Sequence, residues 1–131
     1  MKILIIDDKR DDLERTRIAT QETFPTAQIF ATDDEDQALE WAEANHPDLA
    51  VLDIILKKEH GYTMCRKILA LDPNTIVILL TGSLNAIDSR LAEQNGASGF
   101  AIKTRTLQKF RELLNEIVDL SEIGLASSRH R

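Results

Sequence analysis

The sequence predicts an α/β protein built on one parallel sheet with helices on both faces. Short Val/Ile/Leu runs recur along the chain and are continuous rather than alternating, as in strands buried on both faces. Amphipathic stretches with a 3.6-residue period lie between them. Pro and Gly fall at the junctions: Pro25, Pro47 and Pro73 each stand just before an apolar run, and Gly96 closes the fourth amphipathic stretch.

In chain order, ILII at 3–6 reads as the first strand. Residues 11–23 follow as a helix with Leu13, Ile18 and Ala19 on its inner face. AQIFAT at 27–32 is the second strand. The acidic run Asp33-Asp34-Glu35-Asp36 opens the second helix, where carboxylates interact favourably with the helix N-terminus. That helix carries Ala38, Leu39, Trp41 and Ala42, with Trp41 as a packing anchor. LAVLDIIL at 49–56 is the third strand. The third helix, 61–71, presents Met64, Ile68 and Leu71, and Cys65 reads as a small core residue. IVILL at 76–80 is the fourth strand, 84–95 the fourth helix and GFAI at 99–102 the fifth strand. The last helix, 106–120, has Leu107, Phe110, Leu114, Ile117 and Val118 at helical spacing. The β-α order repeats five times, which implies right-handed crossovers and a functional crevice beyond the carboxyl ends of the strands.

Composition bounds the function. A chain of 131 residues is about one domain, with an ordinary 43% of apolar and 29% of charged residues. The net charge of −6 argues against a general grip on nucleic acid, which needs cations to neutralise phosphates. Cys65 is the only cysteine, which excludes an intramolecular disulfide. The apolar part of MKILIIDD is too short for a signal peptide, and no run approaches the ~20 residues that span a bilayer. A cytoplasmic setting is expected.

Asp53 poses a chemical question, because it interrupts an apolar run. An unpaired charge buried among apolar groups costs several kcal/mol, so Asp53 must lie at a strand end with partners. Asp7-Asp8, Asp53, Thr81-Gly82-Ser83 and Lys103-Thr104 all fall at the same end of the predicted sheet. Three ionised carboxylates are balanced by Lys103 and one divalent cation. All-oxygen ligation with open water positions suits Mg²⁺. A carboxylate nucleophile beside Mg²⁺, Lys and a Thr hydroxyl suits phosphoryl transfer through an aspartyl phosphate.

These residues carry a resemblance. IIDD at 5–8, PDLAVLD at 47–53, Gly61, LLTG at 79–82 and GFAIK at 99–103 together resemble the receiver domain of two-component response regulators over residues 2–120. The separations of 45 residues from Asp8 to Asp53, 28 from Asp53 to Thr81 and 22 from Thr81 to Lys103 match that family. The resemblance implies a flavodoxin-like (βα)5 fold with strand order 2-1-3-4-5. It implies a receiver domain over 1–121 and a short flexible tail over 122–131. Asp53 resembles the phosphoacceptor, and Asp8, Asp53 and the backbone carbonyl of Ile55 resemble Mg²⁺ ligands. Asp7 resembles the acid that acts through a metal-bound water. Thr81 resembles the switch hydroxyl, Phe100 the switch aromatic, and Lys103 the cation that pairs with Asp53 and then with the phosphate.

The implied function is acceptance of a phosphoryl group from a sensor histidine kinase or histidine phosphotransfer protein. The helix 4–strand 5–helix 5 face would then switch toward a downstream protein target or serve as a homodimer surface. Such a chain modifies itself and is not a turnover enzyme. No DNA-binding or membrane-binding role is expected of it. Two positions depart from the family. Thr104 replaces the usual Pro, so the Lys103–Thr104 bond is trans or strained, and the start of the last helix is displaced. Lys57 replaces a common Pro, which predicts a looser, basic loop over 56–60. Ile55 has no side-chain group to orient an attacking water, which predicts a phosphoryl lifetime of minutes or longer.

The main alternatives fit less well. A phosphatase of the haloacid dehalogenase type wants Asp-x-Asp on its first strand, and this chain has Asp7-Asp8. A flavodoxin needs a hydroxyl-rich phosphate loop, where this chain has DDKRDD. A receiver-like interaction module that is never phosphorylated remains the other reading. His46 and His60 read as structural or solvated, and Asp11 and Asp12 as first-turn helix charges.

Overall fold

The structure, a computed structural model, describes residues 1–117. Five parallel strands, β1 (Lys2–Ile6), β2 (Gln28–Thr32), β3 (Leu49–Asp53), β4 (Ile76–Thr81) and β5 (Gly99–Ile102), form one sheet in the order β2-β1-β3-β4-β5. The intervening helices are α1 (Arg10–Thr23), α2 (Glu35–Asn45), α3 (Gly61–Leu71) and α4 (Ser89–Gln94). A fifth helix, α5, occupies 108–117 within the described residues. This is the flavodoxin-like architecture expected from the sequence. Val118 and the expected tail at 122–131 lie outside the described residues.

The continuous apolar runs divide by pleat parity into two cores. Leu4, Ile6, Ala50, Leu52, Val77 and Leu79 meet Ala38 and Ala42 of α2, Met64, Cys65 and Ile68 of α3, and Ala92 of α4. Ile3, Ile5, Leu49, Val51, Ile78, Leu80 and Ala101 meet Ala19 of α1 and Leu107, Phe110, Leu114 and Ile117 at and along α5. Cys65 is fully buried, and burial pushes its thiol up to about 11. Trp41 stacks on Phe30 with ring centroids 5.4 Å apart, the anchor expected of it.

Helix boundaries follow local chemistry. Asp34 caps α2 by accepting from Gln37 N. His60 caps α3 by accepting from Tyr62 N, and His46 ends α2 in the left-handed region at φ 49°. The expected fourth helix over 84–95 is instead a short 3₁₀ turn, Leu84–Ala86, followed by α4 alone. Ser83 caps the turn, Ile87 is extended, and Asp88 starts a new helix by accepting from Arg90 N and Leu91 N. Gly96 leaves α4 at φ 95°, as its position suggested.

The inner face of α1 also differs from the sequence reading. Thr16, Ala19 and Thr20 are buried, whereas Ile18 is 41% exposed. Thr20 is admitted to the interior because its hydroxyl donates to Thr16 O at 2.7 Å. The hydrophobicity of Ile18 was therefore a poor guide, and the i, i+4 spacing of the threonines the better one.

Gly61 marks the tightest packing near the strand ends. A Cβ there would lie 2.6 Å from Ile54 Cα and 2.8 Å from Asp53 O, both backbone atoms. Gly61→Ala is expected to force β3 and α3 apart and cost about 1–3 kcal/mol. Chemical denaturation against the parent chain measures that loss.

Candidate functional site

Register brings the polar residues together. Ile6 pairs with Leu52, so Asp7 and Asp53 emerge side by side from neighbouring strands. Thr81 pairs with Ile102, and Lys103 N continues the ladder by donating to Thr81 O at 2.7 Å. Pleat parity then sorts the side chains. Asp7, Asp53 and Lys103 extend the α1/α5 core rows, whereas Thr81 and Phe100 extend the rows facing α2–α4.

Lys103 is the centre of the cluster. Its Nζ donates to Asp7 Oδ2 at 2.6 Å, to Asp53 Oδ2 at 3.0 Å and to Asp12 Oδ2 at 3.2 Å. The side chains of Lys103, Asp7 and Asp53 are 10%, 3% and 5% exposed, so water screens these pairs little. Asp7 Oδ1 also accepts from Lys9 N at 2.9 Å, and Asp53 Oδ1 from Ile55 N at 3.2 Å. Burial pushes the Asp7 carboxyl up, and the Lys103 bond only partly offsets it. Burial alone would pull the Lys103 ammonium down. The hydrogen bonds and charges of Asp7 and then Asp53 outweigh it and hold the ammonium above its ordinary range. Burial likewise opposes the Asp12 charge, but Lys103 and then Arg15 outweigh it and keep that carboxyl below the usual range.

The sequence reading gave Asp12 only a first-turn helix role, and this contact is a correction. The signal was present: Asp12 lies four residues before Thr16, on the stripe that α1 turns to the sheet. Glu35 was also missed. It is buried, and its carboxylate accepts from Lys58 N at 2.8 Å and Glu59 N at 3.0 Å. Lys58 Nζ donates to Asp36 at 2.6 Å, and Ile55 and His60 form an antiparallel bridge. The 56–60 loop, expected to be loose where Lys57 replaces Pro, is thus tied to the start of α2.

The Lys103–Thr104 bond is trans, since no described peptide bond is cis. The last helix begins at 108 rather than 106, after Leu107 in the left-handed region at φ 55°. Thr81 is fully buried, but its hydroxyl serves its own loop, donating to Ser83 O at 2.7 Å and accepting from Ser83 N at 3.2 Å. Phe100 is half-buried against the α2–α4 core. The Ile55 side chain is 64% exposed.

The residues fit Mg²⁺. Asp8 Oδ1 is buried with no hydrogen-bond partner, an uncompensated acceptor that a hard cation would satisfy. Among the described residues no group of three or more Asp, Glu, His or Cys side chains is placed to hold a metal ion by itself. The Asp7 and Asp53 oxygens turn to Lys103 instead. An open site with one or two carboxylates is what Mg²⁺ shares with phosphate oxygens.

The fold and this rim of carboxylates, lysine and threonine define a five-stranded parallel α/β domain with a charged site at the carboxyl ends of its strands. The family model of the response regulator receiver domain matches residues 3–115, and the chain belongs to that family. Among curated proteins it is 26% identical over 127 residues to the alkaline phosphatase synthesis transcriptional regulatory protein PhoP of Bacillus subtilis, covering 97% of this chain and 52% of that one. It is 32% identical over 103 residues to the DNA-binding response regulator MtrA of Mycolicibacterium smegmatis, covering 78% of this chain and 43% of that one. The chain spans about half the length of these curated relatives. Among solved structures, a CheY-like receiver domain protein from Methanospirillum hungatei matches with TM-score 0.78 and 26% identity, over 94% of this chain and 97% of that one. NtrX of Brucella abortus shares the fold, with TM-score 0.82 at 22% identity, over 99% of this chain and 30% of that one. Among the described residues no helix is long and apolar enough to cross a membrane.

The raised Asp7 carboxyl has a consequence for stability. As pH rises above 3.8, the unfolded chain releases this proton before the folded one does. Folding therefore loses stability until Asp7 ionises at its higher native value. Asp7→Asn removes that loss. It is expected to raise the Tm at pH 7, with the gain shrinking as pH falls below the native value. Thermal melts at pH 7 and pH 3.5 compare the two.

Proposed function

We propose that the chain is the phosphoacceptor of a two-component relay, taking a phosphoryl group on Asp53 from the phosphohistidine of a sensor kinase or phosphotransfer protein. The observation that carries this reading is the Lys103 ammonium bridging Asp7 and Asp53 beside the unpartnered Asp8 oxygen. A buried carboxylate with a cation at its oxygen is held in place as a nucleophile. Asp53 forms the O–P bond, the P–N bond to the donor imidazole breaks, and the imidazole leaves with the electron pair. Lys103 follows the charge by donating to a phosphoryl oxygen.

Mg²⁺, when bound, supplies charge neutralisation for the phosphoryl oxygens, and Asp7, Asp8, Asp53 and the Ile55 carbonyl are the groups to hold it. The Thr81 hydroxyl exchanges its Ser83 partner for a phosphoryl oxygen, and Phe100, on the same face of the sheet, repacks with it. The surface between β5, α4 and α5 then changes. Between β5, α5 and the turn at Leu84 lies a cleft of about 460 Å³, lined by Leu84, Phe100, Ile102 and Leu113 and by the charged Lys109, Glu112 and Glu116, suited to a downstream protein or a second copy of the chain. The chain performs its own phosphorylation and dephosphorylation and is not a turnover enzyme. A cytoplasmic kinase domain is the natural donor.

Intact mass after incubation with Mg²⁺ and acetyl phosphate tests the chemistry. One adduct of about 80 Da is expected, dependent on metal and lost in Asp53→Asn. Metal-independent modification, or an adduct that survives in the Asn variant, would sink the reading. The same assay follows decay after donor removal. With the exposed Ile55 side chain unable to orient water, the adduct should last minutes or longer. Ile55→Asn, which supplies a polar group at the site mouth, should shorten its life. Decay of the parent within seconds refutes the Ile55 argument.

A further inference from the structure

We infer that Asp12 is a positioning residue that restrains phosphoryl transfer at Asp53 by holding the third hydrogen-bond donor of Lys103. This inference rests on the reading of Asp53 as phosphoacceptor. An ammonium group has three N–H donors and no more. In this chain all three are taken by carboxylates, at 2.6 Å from Asp7, 3.0 Å from Asp53 and 3.2 Å from Asp12. Asp12 is 17% exposed at its side chain, so its charge acts within the shielded cluster. Its other oxygen, Oδ1, is held by the guanidinium of Arg15, one turn along α1. The carboxylate is thereby fixed at both ends and aimed at Lys103.

The helix N-terminus alone does not account for this placement. Asp11, on the same turn, is exposed and supplies the first-turn charge without reaching Lys103. Asp12 instead stands on the Thr16–Thr20 stripe, facing the sheet rows that end in Asp7, Asp53 and Lys103.

A phosphoryl group arriving on Asp53 brings oxygens that need a donor, and Lys103 has none spare. One carboxylate must let go. Asp7 makes the shortest bond, and Asp53 is itself the reacting group. Asp12 makes the longest bond and keeps Arg15 as a partner after release. Until that release, Asp12 withholds a donor and adds a negative charge where an anionic group must enter. Both effects slow the forward step. With acetyl phosphate, Asp53 forms the O–P bond, the P–O bond to acetate breaks, and acetate leaves with the electron pair. Asp12 takes no part in these bonds.

The test compares the parent chain with Asp12→Ala, Asp12→Asn, Arg15→Met and the control Asp11→Ala. Phosphorylation by acetyl phosphate with Mg²⁺ is timed by intact mass. The Lys103 Nζ resonance is followed by NMR without donor or metal. Asp12→Ala is expected to phosphorylate about threefold to tenfold faster than the parent, a change of the size one weak charged contact supplies. Arg15→Met, which leaves Asp12 only Lys103 to bind, should be slower. The Lys103 resonance should move in Asp12→Ala and Arg15→Met and stay in place in Asp11→Ala. Asp12→Asn keeps an oxygen acceptor without the charge. A fast rate there makes charge the restraint, and a parent-like rate makes the bond the restraint. A folded Asp12→Ala with a parent-like or slower rate overturns the inference, as does an equal acceleration in Asp11→Ala. Should Asp12→Ala not fold, acceleration in Arg15→Met overturns it. An adduct on Asp12→Ala but not on the parent supports it in its strongest form. No adduct on any chain, with the Lys103 resonance moving as expected, overturns the reading of Asp53 and not the Asp12–Lys103 contact.

Discussion

The buried ammonium of Lys103 is the interaction on which the rest of the strand-end architecture depends. Asp7 and Asp53 emerge from neighbouring strands, and two carboxylates so placed repel one another in a setting water hardly screens. A shared cation makes the arrangement tenable. Lys103 also spans the sheet. It leaves the edge strand β5 and reaches β1 past the ends of β4 and β3, while a third bond engages α1. Breaking such a cluster by removing its cation is costlier than replacing the whole cluster by apolar groups, because the anions stay behind. The cluster therefore reads as a functional arrangement tolerated by the fold rather than as its source of stability.

Around that cluster the backbone is held by less conspicuous means. Gly61 lets α3 pack directly on the Asp53–Ile54 backbone, and Gly61 N donates to Ile54 O at 2.7 Å. Glu35, at the start of α2 on the same face of the sheet, ties down the loop after β3 by accepting from two backbone N–H groups. The segment that follows Asp53 is thus held both by close packing and by hydrogen bonds. Thr81 is different. Its hydroxyl is satisfied within its own loop, so leaving that loop exchanges one hydrogen bond for another rather than repairing a deficit.

Much of this was legible in the sequence, for identifiable reasons. Apolar runs such as LAVLD and IVILL state a parallel sheet directly, and the polar residues that end them marked one rim. Asp7, Asp53 and Lys103 could be assembled because strand parity is a rigid rule. Elements governed by weaker rules were misread. Asp88 and Ser83 are competing caps, and their competition broke the fourth helix where amphipathic pattern alone suggested continuity. Ile18 is apolar but faces outward, because the inner stripe of α1 is set by the small and threonine residues that fit against the sheet. Glu35 and Asp12 escaped notice since an acidic residue near a helix start has a sufficient local explanation. Only tertiary contacts show which member of such a run turns inward.

Asp7, Asp53 and Lys103 belong to the row of side chains beneath α1 and α5, whereas Thr81 and Phe100 belong to the row beneath α2–α4. The two sets are separated by a single layer of backbone. The rows they extend pack into two separate cores. Substitutions beneath α1 and α5 therefore disturb a different core from substitutions beneath α2–α4, even where the two positions are neighbours along one strand.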